Sequence, residues 1–324
     1  LAQVTGALTA AADAYVAATL DFLLRRAAAD GRFEPADRAR PATDCGLVVL
    51  ALGKHGAGEL NYSSDVDLVV FYDPDIAAER LSSGEPGPFY VRLTRSLARI
   101  LSERTGDGYV LRVDLRLRPD PGSTAVAVSL PGALSYYETL GQNWERAAMI
   151  KARPIAGQVE LGARFLEELR PFIWRRYFDY AAISDIHAMK RQIHAVRGHA
   201  EVVVPGHDVK LGRGGIREIE FFVQTQQLIF GGRRPELRGR RTVDMLAALA
   251  ADNWVSPQAR DELTESYAVL RTVEHRLQMI ADEQTQRLPS DDKDLARFAK
   301  FCGRSTYRKF ETWLTGHFRK VELH

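Results

Sequence analysis

Residues 58–72, GELNYSSDVDLVVFY, set Asp65 and Asp67 one residue apart at the head of an apolar run, behind a loop of glycine and serine. In a strand, positions i and i+2 project from one face with Cα atoms about 6–7 Å apart. Asp65 and Asp67 therefore converge on one side, while Val66, Leu68 and Val70 point to the other. Carboxylates this close repel unless protonated or bridged by cations, and magnesium favours carboxylates supplemented by water and phosphate oxygens. The pattern predicts a divalent-metal site at the start of a buried strand.

The flanking sequence builds a small sheet around that strand. CGLVVLALG (45–53) is a short β-branched apolar run, FYVRLTRSLARILSERT (89–105) has helical spacing, and YVLRVDLRLRP (109–119) alternates with period two. In this last segment Leu111, Val113, Leu115 and Leu117 share one face and Arg112, Asp114, Arg116 and Arg118 the other. Three aspartates, Asp65, Asp67 and Asp114, could then hold two metals about 3.5–4 Å apart for an in-line displacement at phosphorus, with arginines clamping phosphate oxygens. Taken singly, each aspartate reads equally well as a turn cap, a strand end or an ion-pair partner. The loop LGKHGAGELNYSS (52–64) is no Walker loop, because Lys54 follows Gly53 and precedes Gly56 and Gly58. Its glycines and hydroxyls let backbone N–H groups approach phosphate, or merely turn the chain.

After the turn cluster RPDPGST (118–124) the chain is predicted to be mainly helical. The expected helices are 133–152, 183–200, 217–230, 242–253, 256–283 and a tail from 306. The resulting fold class is α+β, a small mixed sheet with a large helical flanking domain. The expected divisions are an amino-terminal helical segment 1–35, a sheet domain 36–155 and a helical domain 156–324. In KLGRGGIREIEF (210–221), Lys210 and Arg213 precede two glycines and a helix start, a possible anion site. Arg217, Glu220, Gln224 and Gln227 form a polar stripe, either a solvated face or ion pairs, or else Glu218 or Glu220 reaches the catalytic cleft. In WERAAMIKARP (144–154), Lys151 and Arg153 either contact nucleotide phosphate or end a helix favourably. Trp144, Tyr136, Tyr137, Phe172 and Trp174 are expected in the core.

Composition bounds the function loosely. The 324 residues are 45% hydrophobic, and 44 Lys plus Arg oppose 42 Asp plus Glu, so global charge neither demands nor excludes a nucleic-acid partner. Cys45 and Cys302 lie far apart, without zinc or disulfide spacing, which suits a reducing, cytoplasmic setting. No histidine pattern such as H-E-x-x-H supports zinc catalysis. No uninterrupted apolar run approaches the roughly 20 residues of a membrane span, and residues 3–30 read as an alanine-rich helix ended by Gly31 and Pro35. The start at Leu1 and the tail, a helix running to His324, suggest a piece of a longer chain.

LGKHGAGELNYSSDVDLVVFY (52–72) resembles the signature of the nucleotidyltransferase fold shared with DNA polymerase β, a Gly-Ser-type loop followed by Asp-x-Asp. More closely, that stretch and VLRVDLRLRPDPGS (110–123), NWERAAMIKARPIAG (143–157) and DVKLGRGGIREIEFFVQTQQLIFGGRRPELR (208–238) resemble the bacterial glutamine synthetase adenylyltransferase/deadenylylase family. The match is to the family's amino-terminal, deadenylylating half. Such a resemblance implies phosphorolysis of adenylyl-tyrosine on glutamine synthetase, giving ADP and active synthetase in the regulation of nitrogen assimilation. It implies magnesium or manganese on Asp65, Asp67 and Asp114. Phosphate or nucleotide contacts would come from Gly53, Lys54, Ser63, Ser64, Arg116, Arg118, Lys151, Arg153, Lys210, Arg217, Glu218 and Glu220. Partners implied are adenylylated glutamine synthetase, inorganic phosphate, ADP or ATP and the PII signal protein, with no membrane and no nucleic acid. His55 stands where the family usually has leucine. Rival readings are ATP-dependent adenylylation of the synthetase, a nucleic-acid nucleotidyltransferase, and a non-catalytic sensor that keeps the fold.

Overall fold

The computed structural model describes residues 1–82, 84–175 and 203–324. It divides into two units. Ala2–Leu60 and Ser64–Trp174 make a sheet-containing unit, and Asn61–Ser63 join Arg175–His324 in a helical one. The helix expected over 183–200 lies outside the described residues.

In the first unit, α1 (Ala2–Ala29) leads to β1 (Leu47–Ala51), the single turn α2 (Gly53–Gly56) and β2 (Val66–Tyr72). There follow α3 (Pro74–Arg80), α4 (Pro86–Ser102), β3 (Val113–Asp114), β4 (Ala127–Ser129), α5 (Leu130–Thr139), α6 (Asn143–Met149), β5 (Arg153–Gly157), α7 (Val159–Glu168) and the single turn α8 (Arg170–Ile173). The strand order is β3-β2-β1-β5, and β4 pairs with the same edge of β2 as β3, further along the strand. β1 lies antiparallel to β2 and β5, whereas β3 and β4 run parallel to β2, so the sheet is mixed.

Alternation along the strands decides what each face covers. Leu47, Val49 and Ala51 of β1, Val66, Leu68 and Val70 of β2, and Ala156 of β5 share a core with Ala12, Val16, Leu20 and Leu24 of α1 and Tyr90, Leu93 and Leu97 of α4. On the opposite face Phe71 meets Phe165 of α7, ring centroids 4.6 Å apart. At the end of β1 the Tyr90 hydroxyl donates to the Cys45 carbonyl. Burial pushes the Cys45 thiol up to about 12, so this sulfur is an inert core group.

Among the described residues α1 is the one helix long and apolar enough to cross a membrane. The sequence, read for uninterrupted apolar runs, did not single it out. Its apolarity has a local use, because its inner stripe fills the sheet core.

The first unit extends to Trp174, beyond the expected boundary at 155/156. β5 pairs with β1, and α7 packs on the sheet, which ties Ala156–Trp174 to the strands. The helix expected over 133–152 is two helices. Leu140–Gln142 interrupt it, and the Gln142 and Glu145 side chains form a capping box that starts α6. Tyr137 and Phe172 are buried as expected, but Trp144 is 42% exposed.

The second unit contains α9 (Ile216–Phe230), a 3₁₀ turn (Pro235–Leu237), α10 (Thr242–Ala251), α11 (Pro257–Ala281), α12 (Asp292–Phe301) and α13 (Tyr307–Leu323). Its core gathers Ile216, Ile219 and Val223 of α9, Leu246 and Leu249 of α10, Leu263, Leu270 and Val273 of α11, and Phe310, Leu314 and Phe318 of α13.

Candidate active site

Asp65 immediately precedes β2 and Asp67 is its second residue, so both lie on the face opposite Val66, Leu68 and Val70. Asp67 is the register partner of Asp114 across the parallel β2–β3 pair. The Asp65 carboxylate accepts a hydrogen bond from Arg112 Nε at 2.8 Å, and Arg112 also donates to the Tyr109 hydroxyl. Arg112 O accepts from Val66 N–H at 2.8 Å, which locks the two strands where the acidic pair begins.

The third strand is much shorter than its alternating pattern predicts. Asp114 accepts the Arg116 backbone N–H at 2.8 Å and its guanidinium Nε at 2.9 Å, closing a tight local turn. Arg118 donates to the carbonyls of Leu115, Pro121 and Thr124 at 2.7–3.1 Å. These bonds fold residues 115–124 into a loop that a two-sided strand would not allow. Arg118 thus staples the loop.

Asp114 is only 13% exposed and its partner Arg116 is 82% exposed. The Arg116 hydrogen bond outweighs burial and holds the Asp114 carboxyl below the usual range. Arg116 in turn is raised, first by its bond to Asp114 and then by the charges of Asp114, Asp65 and Asp67. One guanidinium therefore answers to all three carboxylates. Replacing Arg116 with Gln should raise the Asp114 pKa towards its ordinary value, so that the carboxylate protonates at a higher pH than in the parent. A carboxyl ¹³C NMR titration checks this, and an unmoved Asp114 would contradict the pairing.

Among the described residues no three His, Cys, Asp or Glu side chains are gathered closely enough to hold a metal ion as they stand. Two of the three aspartates are drawn onto arginines instead. The donor set, carboxylate oxygens on one face, nevertheless suits a hard cation. Gly53 has φ +55°, and a Cβ there would stand 2.4 Å from Asp67 Oδ2. Only glycine lets the backbone turn this close to that carboxylate.

The other expected site residues divide by what they touch. Lys54 and Lys151 are buried in the first unit. Arg153 forms a two-pronged pair with Asp13 of α1, Nη1–Oδ2 2.8 Å and Nη2–Oδ1 3.1 Å, and also donates to His55 O at 3.3 Å. Its guanidinium thus ties the loop to α1. Ser64 is half-buried in the first unit, whereas Ser63 is buried in the second, where its N–H donates to Gln278 Oε1 at 3.2 Å.

In the helical unit, Lys210 N–H donates to Asp208 Oδ1 at 2.9 Å, and Lys210 O accepts from Arg217 N–H at 2.9 Å. Arg217 lies 3.6 Å from the buried Glu220, an ion pair within α9. Glu218 accepts the Gly214 N–H at 3.2 Å, so the start of α9 already carries its own anion. Gly214 turns with φ +71° against the backbone of Phe318, where a Cβ would meet the Phe318 carbonyl oxygen at 2.4 Å. Gly214 is thus accounted for by close packing on α13, and Gly215 by the loop before it, where a Cβ would meet the Gly212, Lys210 and Val209 carbonyl oxygens at 2.7–2.9 Å.

Sequence reading missed Asp13, His55 and Tyr109 as partners of site residues. The one available signal was Asp13, a charge in the middle of an otherwise apolar stretch of α1.

Comparison with known proteins adds independent findings. The model of the glutamate-ammonia ligase adenylyltransferase family matches residues 1–168, and that of the GlnD PII-uridylyltransferase matches residues 185–324. The chain is 59% identical to the bifunctional glutamine synthetase adenylyltransferase/adenylyl-removing enzyme of Bradyrhizobium sp. (strain ORS 278), over 99% of this chain and 33% of that protein. It is 58% identical to the one of Xanthobacter autotrophicus, over 100% of this chain and 33% of the relative. The Brucella melitensis protein of the same name is 57% identical over 98% of this chain and 32% of its own length. The chain spans about a third of the length of these curated relatives. On the family match over residues 1–168, which carry the sheet and its three aspartates, the chain belongs to the glutamate-ammonia ligase adenylyltransferase family.

Proposed function

We propose that this chain is the adenylyl-removing half of a bifunctional regulator of glutamine synthetase, and that its sheet unit is a nucleotidyltransferase domain of the DNA polymerase β type. The observation that carries the reading is the placement of Asp65, Asp67 and Asp114 on one face of two paired strands, with the Gly53 turn against Asp67. The relatives' names, which pair adenylyltransferase with adenylyl-removing activity, support the substrate assignment.

In the reaction, an oxygen of inorganic phosphate attacks the adenylyl phosphorus. The bond from phosphorus to the tyrosine oxygen breaks, and the tyrosinate leaves with the electron pair and takes up a proton. The products are ADP and unmodified tyrosine. A phenol of pKa about 10 is a tolerable leaving group without a strong general acid.

Asp65, Asp67 and Asp114 would hold magnesium or manganese, which supplies charge neutralisation at the phosphoryl oxygens. The side chains around them have separate tasks. Arg116, exposed and hinged beside Asp114, can move from that carboxylate to an incoming phosphate, exchanging one anion for another. Arg112 orients the Asp65 carboxylate. The Gly53 turn brings backbone close against Asp67, where N–H groups can approach phosphate. Asp114, held below the usual carboxylate range by Arg116, is ionised at neutral pH, so acidification disarms the site only well below neutrality.

The test is incubation of the chain with adenylylated glutamine synthetase and labelled inorganic phosphate. Label is expected in ADP. Its absence, with labelled AMP passing from ATP onto unmodified synthetase in a parallel incubation, would assign the opposite reaction. Association with PII, and a cytoplasmic setting, belong to the same proposal. The match of residues 185–324 to the PII-uridylyltransferase family supports the first.

A further inference from the structure

The amino-terminal helix contributes two polar side chains to the loop that carries Gly53. Thr9 and Asp13 are four residues apart, hence on one face of α1. Thr9 Oγ1 accepts the Leu60 N–H at 3.2 Å, at the far end of the loop. Asp13 accepts from Arg153 through both carboxylate oxygens and pairs with the buried His55 ring at Nε2–Oδ1 2.8 Å. Arg153 then reaches the carbonyls of His55 and Gly56 at 3.3 and 3.4 Å. Two residues earlier, the same loop meets the acidic group. Leu52 N–H donates to Asp67 O at 2.9 Å, and Gly53 leaves no room for a Cβ beside Asp67 Oδ2.

The loop has little freedom to compensate elsewhere. A Cβ on Gly56 would stand 2.1 Å from Lys151 O and 2.5 Å from Ala51 O, so the backbone there is already wedged between β1 and the lead into β5. Asp13 carries its charge at a half-buried position. Burial alone would raise its pKa, but the hydrogen bonds from His55 and Arg153 reverse the shift and keep it ionised.

We propose that Asp13 is a positioning residue for the acidic site. Through Arg153 and His55 it fixes the turn of residues 52–58, and the fixed turn in turn holds Asp67 in place for cation binding. Its role is to orient, since it contacts scaffold groups and none of the three site carboxylates. The inference rests on the reading of Asp65, Asp67 and Asp114 as the cation ligands. It adds that the amino-terminal helix is a working part of that site as well as a cover for the sheet.

The test uses the full 324-residue chain and Mn²⁺ alone as probe, with binding read from water-proton relaxation and loop order from amide hydrogen exchange. Asp13→Asn keeps shape and removes charge. It should weaken Mn²⁺ binding about 10-fold, the scale expected when a supporting partner is lost, and speed exchange at residues 53–60 while β1 and β2 stay protected. Asp13→Glu should recover most of the affinity. Arg153→Lys, which keeps charge but loses the two-pronged pair, should fall between. Asp67→Asn serves as the control that abolishes binding.

Mn²⁺ affinity unchanged in Asp13→Asn, with Asp67→Asn inactive in binding, would overturn the positioning role alone. Full affinity in Asp67→Asn would instead sink the ligand reading and this inference with it. Loss of the whole exchange-protected core in both Asp13→Asn and Arg153→Lys would make the cluster merely structural and also overturn the proposal.

Discussion

On the proposed reading, replacing Asp67 with Asn should lower ADP release from adenylylated glutamine synthetase by about 10²–10³-fold, the scale on which losing one preorganised electrostatic group acts in an enzyme site. The amide has the shape of the carboxylate but none of its charge, so the loss falls on cation binding. Stability should not fall in parallel. Asp65, Asp67 and Asp114 lie on one face and repel one another, while Arg116 answers to all three charges. Removing one charge relieves that repulsion and gives up part of the attraction to Arg116, so the Asn variant should melt close to the parent temperature. A calorimetric scan run beside the phosphorolysis assay separates the two effects. Retained activity at saturating Mg²⁺, or a collapse of stability that alone accounts for lost activity, would contradict the account.

Gly53→Ala should be nearly as damaging from a single methyl group. The residue sits at φ +55°, where a Cβ costs about 1–2 kcal/mol in backbone strain. The added carbon would also lie 2.4 Å from Asp67 Oδ2, far inside van der Waals contact. Either the carboxylate rotates or the turn moves, and both displace a ligand of the proposed site. Misplacement on the scale of 1 Å in a positioned group costs about 10²-fold in rate. The expected result is therefore a loss of about 10²-fold in kcat/KM with a modest drop in melting temperature. Activity within twofold of the parent would show that the approach of Gly53 to Asp67 has no part in function.

The positions legible in the sequence were those fixed by short-range periodicity. Period two in DVDLVVFY placed Asp65 and Asp67 opposite Val66, Leu68 and Val70, and helical spacing placed α4 and α11. What failed did so for identifiable reasons. β5 contains Pro154, a residue that argues against a central strand, and it lies at the sheet edge where proline is tolerated. The segment around Asp114 alternates well enough for a full strand. The bonds that Arg116 and Arg118 make to neighbours within a few residues curl it after two residues. Charge pairing between distant parts of the chain left no local signal beyond the lone charge of Asp13 in α1. Arg153 finds Asp13 across 140 positions and Arg112 finds Asp65 across 47, pairings that no window of sequence contains. Ser63 likewise belongs with Gln278, 215 positions away, a relation that no window of sequence contains.

The central claim is that Asp65, Asp67 and Asp114 together bind a hard divalent cation. Anomalous scattering at the manganese edge, from crystals of the chain soaked in Mn²⁺ with ADP, tests it most directly. The account predicts an anomalous peak at the Asp65, Asp67 and Asp114 carboxylates, with Arg116 swung away from Asp114. A structure in which Arg116 still covers Asp114 and manganese is bound elsewhere, or nowhere, would contradict it.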